Sequence, residues 1–162
     1  MSDIQNVMIR MIEYDKGDPR RIQHFIKVYQ FAKLIGEMEQ ADDQVQEVIE
    51  IAALVHDIGI KISEEKYGSS SGKYQELEGP PIAAVLLKDL GYAESFIDRI
   101  CWLVGHHHTY DNIVDLDHQI LVEADFLVNA YEDNLTSDSI CRVFTKIFQT
   151  DSGKHLLKTM YL

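Results

Sequence analysis

The sequence predicts an all-α fold, and three observations carry that expectation. Apolar residues recur at helical spacing in nearly every segment, and no run alternates with the period of two that a half-buried strand needs. Gly, Pro and Asp stand where one periodic segment ends and the next begins. A chain of 162 residues can bury one sizeable core. The expected architecture is therefore a single-domain bundle of about six to eight helices over residues 1–162.

The elements follow in order. Ile4, Val7, Met8, Met11 and Ile12 mark an amphipathic helix over 3–14. Gly17-Asp18-Pro19 breaks it, with Asp18 as N-cap and Pro19 in the first turn of a second helix to about Glu39. Asp42 or Asp43 caps a third, which runs to His56-Asp57 and stops near Gly59. Residues 60–78 lose the periodicity and, rich in Gly, Ser and charge, read as a long loop, either a lid or a flexible excursion. Gly79-Pro80-Pro81 opens a fourth helix that Gly91 ends. Further helices are expected from about Ala93 to the His106-His107-His108 run and over 117–132. One or two more occupy 136–148 and 153–161.

Fifteen basic against 27 acidic residues give a net charge of -12. That surface repels nucleic-acid polymers and anionic membranes, though not a small phosphorylated ligand held by a metal and one or two arginines. No apolar stretch approaches the roughly 20 residues that span a bilayer. The N-terminus, interrupted by Asp3, Arg10, Glu13 and Asp15, does not read as a signal peptide. Cys101 and Cys141, each in an apolar periodic segment without a CxxC pattern, read as reduced core thiols of a cytoplasmic protein.

Polar residues on apolar stripes carry the functional signal. His24 shares a stripe with Val28, Phe31 and Ile35; His56 with Val45, Ile49 and Ala52; Asp125 with Leu121 and Val128. Asp57 follows His56 at the end of the run Ile51-Ala52-Ala53-Leu54-Val55. Singly, an interior histidine is explained by a core hydrogen bond, and an interior aspartate by a cap or an arginine pair. Together, two imidazoles and two carboxylates from three helices make a mixed N/O set suited to a divalent metal.

The ordered set His24…His56-Asp57…Asp125, with Ile58-Gly59 after the pair, resembles the HD superfamily of metal-dependent phosphohydrolases. Arg21-Ile22-Gln23-His24 with Val28 and Ala32, Glu78-Gly79-Pro80-Pro81-Ile82-Ala83, and Glu123-Ala124-Asp125 resemble the same family. The resemblance covers about 18–132 and leaves C-terminal helices over 135–162 outside it. It implies that His24, His56, Asp57 and Asp125 coordinate one divalent ion (Mn, Fe, Co, Ni, Mg or Zn), with a second site possible, and that Asp57 also bridges two ions or orients water.

Two positions depart from the family pattern. Where relatives with two metals carry a histidine, four residues before Gly79, this chain has Gln75, a poor ligand. Where relatives often carry Lys or Arg after the glycine, it has Ile60, with Lys61 one step later. The run Gly105-His106-His107-His108 resembles the family's paired histidines. Consecutive helical residues point about 100° apart, so His106 or His107 is expected to face the site, as a second-metal ligand, proton donor or phosphate contact. The competing reading of each is a cationic side chain at a helix C-terminus. Arg21, one turn before His24, and Arg20 are the expected phosphate contacts, with Lys61 as a further candidate.

The function this implies is hydrolysis of a phosphate ester or anhydride of a small molecule, a nucleotide foremost. The alternatives are a metal-stabilised HD module that binds a nucleotide or partner without turnover, and a di-iron oxygenase.

Overall fold

The computed structural model describes residues 3–162, and these form nine helices and no strand. They are α1 (Asp3–Tyr14), α2 (Pro19–Met38), α3 (Asp43–Val55), α4 (Ile60–Tyr67), α5 (Gly72–Asp89), α6 (Glu94–Val104), α7 (Leu116–Glu132), α8 (Ser137–Lys146) and α9 (Asp151–Tyr161). The caps follow the sequence. Asp18 accepts a hydrogen bond from the Arg21 N–H with Pro19 at N1, and Asp42 accepts one from Val45 N–H.

The centre of the bundle is made by α3 and α7. Every residue from Val48 to Val55, and every one from Asp117 to Asp125, is buried. A helix buried on all sides must be apolar all round except where a polar group has a partner. α2 packs against both, α6 against α3, and α5 lies along α6 and α4; α1 covers α3, and α9 returns to α7 and α2. One continuous apolar cluster runs through the described residues, from Val7 and Met11 through Ile49, Leu54 and Leu121 to Leu157. Truncating one of its fully buried leucines to alanine costs about 2–5 kcal/mol.

Glu123, wholly buried on α7, points away from the centre described below. Its carboxylate accepts the Gln149 and Thr150 N–H groups at 2.6 and 2.9 Å and the Thr150 hydroxyl. It thus anchors the start of α9, and Gly153 is needed there because a Cβ would land on the carboxylate.

Three expectations are corrected. Residues 60–78 are mostly helical: α4 fills 60–67, Gly68 closes it with the left-handed φ of 62°, and α5 begins at Gly72. Two turns of polar helix are too short to show a period. Pro80 and Pro81 therefore lie inside α5, not at its start. The thiols are not core residues, since Cys101 is half-buried and Cys141 exposed; both are free. No helix among the described residues is long and apolar enough to cross a membrane.

Candidate metal centre

The site forms where α3 ends. His56 closes the helix, and a tight turn follows in which Ile58 N–H donates to Val55 O and Ile60 N–H to Asp57 O. Gly59 brings the next helix onto this turn: a Cβ there would sit 2.7 Å from both Gln75 O and Gly79 N. That approach, supported by Gly79 itself, sets α5 directly beside the His-Asp pair.

Around the turn, four donors converge. His24 Nε2 lies 3.3 Å from His56 Nε2, 3.3 Å from Asp57 Oδ2 and 3.2 Å from Asp125 Oδ1. His56 Nε2 lies 3.4 and 3.5 Å from the same two oxygens. The far nitrogens fix the tautomers: His56 Nδ1–H donates to Ala53 O at 2.8 Å, and His24 Nδ1–H donates to Glu132 Oε2 at 2.9 Å. In the neutral rings both Nε2 atoms are then bare lone pairs, facing each other and two carboxylates. Four electron-pair donors aimed at one point repel unless a cation or protons fill it. A divalent ion about 2.0–2.2 Å from each donor needs neighbouring donors about 3.0–3.5 Å apart. The residues fit such an ion.

Without a cation, protons relieve the cluster. Burial alone would depress His24, but its hydrogen bond to Asp125 and the charges of Asp57 and Asp125 raise it to about 9. His56 is also raised, burial again being outweighed by Asp57 and Asp125. Burial would lift Asp57 and Asp125, yet the imidazoles hold both below the ordinary carboxylate range.

A second electron-rich corner adjoins the first through Asp57. His107, buried, donates Nδ1–H to Val104 O at 2.8 Å, so its bare Nε2 faces Asp57 Oδ1 at 3.4 Å and Gln75 Oε1 at 3.3 Å. Gln75 is oriented by its amide N–H to Ser70 O, and its oxygen lies 3.0 Å from His108 Nε2. His108 is pulled down to about 4 by burial and by neighbouring His107, so it is neutral at physiological pH. Its ring packs against Gly72, where any Cβ would collide with it.

The remaining expectations sort as follows. His106 does not face the centre: it stacks on Trp102 at 4.2 Å and bonds Trp102 O, so His107 and His108 are the inward pair. Arg20 and Arg21 both border the cavity above the cluster, Arg20 with no partner among the described residues. Arg21 is bound to Glu64 of α4 at 2.6 Å and to Asp18 at 3.3 Å. Lys61 turns away, lying over the Tyr14 ring and outside the cavity. Gln75, dismissed as a ligand from sequence, presents its oxygen to the centre. Sequence reasoning missed Glu132, which bonds His24 on one oxygen and Lys27 Nζ on the other at 2.5 Å. A ligating histidine commonly gives its other ring N–H to a carboxylate, and here that partner lies 108 positions away.

The HD domain family matches residues 21–130, and the chain belongs to that family. A solved structure titled a predicted HD superfamily hydrolase, from an uncultured Thermotogales bacterium, is 28% identical with a TM-score of 0.66. The match covers 98% of this chain and 83% of that one. A search of curated proteins finds no match.

Proposed function

We propose that the protein is a metal-dependent phosphohydrolase acting on a phosphate ester or anhydride of a small molecule. One observation carries this reading: two bare imidazole nitrogens and two carboxylates, drawn from α2, the turn after α3, and α7, point at one another 3.2–3.5 Å apart at the floor of an open cavity. His24, His56, Asp57 and Asp125 would hold a divalent ion. Asp57, His107, His108 and the Gln75 oxygen offer a second position that shares the Asp57 carboxylate.

Such an ion, when bound, neutralises phosphoryl charge and acidifies water. The chain's own residues supply the rest. Asp57 and neutral His108 border the cavity and orient the attacking water. Arg20 is free to pair with phosphoryl oxygens, and Arg21 reaches them by exchanging Glu64 for phosphate. Glu132 holds the His24 ring in its tautomer.

The test is chelation followed by reconstitution. The metal-free protein should be inert toward p-nitrophenyl phosphate and a phosphate-ester panel, and Mn, Co or Ni should restore turnover. Asp57→Ala should lose metal and activity together. A metal-loaded sample that hydrolyses nothing in the panel ends this reading. Stoichiometric ligand binding without turnover would favour a binding module; two irons per chain with oxygen uptake would favour an oxygenase.

A further inference from the structure

We propose that the substrate is a phosphate monoester of a small hydroxylated carbon skeleton, a sugar or polyol phosphate, rather than a nucleotide. The proposal rests on the hydrolase reading above and adds to it what the cavity walls show.

The cavity over the metal centre has a volume of about 440 Å³; among the described residues no Phe, Tyr or Trp lines it, and Ile60 is the one apolar side chain that does. A nucleobase is commonly bound by stacking on an aromatic or apolar face. Neither histidine in the wall provides that face. His24 points its Nε2 edge into the metal cluster, and His108 is already packed against His107 and Gly72.

The charges limit the number of phosphates. Beyond the metal centre the wall carries two cations, Arg20 and Arg21, and Arg21 is already held by Glu64 and Asp18. Lys27, the next cation along, is bound to Glu132. One phosphoryl group over the ions can be neutralised. A second or third would lie against Asp18, Glu64 and Asp133, where like charges repel it.

The remaining wall suits hydroxyl groups. The Asp133 carboxylate borders the cavity with no side-chain partner among the described residues, and the Asn129 side-chain amide gives its N–H to Asp125, leaving its oxygen to accept. With Ser70, which also borders the cavity, these are acceptors for a ligand that brings several O–H donors. A sugar or polyol does so at no stacking cost.

The metal-reconstituted protein should be assayed on ribose 5-phosphate, glycerol phosphate, the nucleoside 5′-monophosphates, the corresponding triphosphates and p-nitrophenyl phosphate. Ribose 5-phosphate should match or exceed every nucleoside monophosphate in kcat/KM, the bases should differ from one another less than threefold, and triphosphates should be poorest. Asp133→Ala should lower the ratio of kcat/KM for ribose 5-phosphate over p-nitrophenyl phosphate by tenfold or more. Calorimetry should show the same loss for a non-hydrolysable phosphonate analogue of the sugar phosphate. A tenfold or greater preference for one nucleobase, or for triphosphates, overturns the inference while leaving the hydrolase reading intact. An unchanged ratio in Asp133→Ala with unchanged phosphonate binding also overturns it. Failure on p-nitrophenyl phosphate as well as every other ester refutes the hydrolase reading and this inference with it.

Discussion

Metal binding at this centre should be driven by pH, and the size of the effect follows from His24. In the metal-free cluster the ring titrates at about 9, against 6.5 for a free histidine. The difference corresponds to about 3 kcal/mol of stabilisation of the protonated form. Because the folded value is raised, this stabilisation is fully present below pH 6.5 and is lost as the pH climbs through about 9. An incoming ion must displace that proton, since both use the same Nε2. At pH 7 the proton should therefore weaken ion affinity about 100-fold relative to its value above pH 9, or about tenfold per pH unit between them. His56, also raised, adds in the same direction. Competition against a chelator of known affinity at pH 6.5, 7.5 and 8.5 measures the slope. Calorimetry in buffers of different ionisation enthalpy counts the protons released, with one or more per ion expected. An affinity that is flat from pH 6.5 to 8.5, with no proton release, refutes the reasoning.

Other perturbations separate the parts. Glu132→Gln should weaken metal binding about 10–100-fold by loosening the tautomer of His24; calorimetric affinity equal to wild type would remove Glu132 from the site. Arg21→Ala should keep metal occupancy yet cost about 2–4 kcal/mol in kcat/KM, if the guanidinium reaches the phosphoryl group. Unchanged steady-state kinetics would show that Arg21 only ties α2 to α4 through Glu64. Gly59→Ala should cost about 1–3 kcal/mol, because its methyl meets backbone on α5 rather than a flexible side chain. A thermal melt should fall by several degrees, and an unshifted midpoint would mean that α5 does not press on the turn.

How much of this was legible depends on whether a residue contradicts its local surroundings. His24, His56 and Asp125 stand on apolar stripes, so their cost in a core is visible without a structure, and the structure brings all three together. Glu132 offers no such contradiction. It ends α7 among exposed neighbours, where a carboxylate is expected, and its tie to His24 spans 108 positions. The helix over 60–67 was hidden for a different reason. α4 buries only Ser63, so it has almost no apolar stripe to read, and its stop is set by the backbone at Gly68.

The histidine run shows where phase alone fails. Helical geometry says that His106, His107 and His108 diverge but not which one turns inward, because α6 ends at Val104 and the run continues as a turn. The choice is made by partners outside the run. Trp102 draws His106 to the surface by stacking, with Arg99 over the same ring. The Val104 carbonyl holds His107, and the Gln75 amide oxygen holds His108 from α5. Gln75 itself reaches them because Gly59 and Gly79 let α5 lie against the His-Asp turn. The glycine after His56-Asp57-Ile58 thus acts on the second corner of the site as much as on the first. A residue with no functional atoms decides which histidines, and which amide, stand beside Asp57.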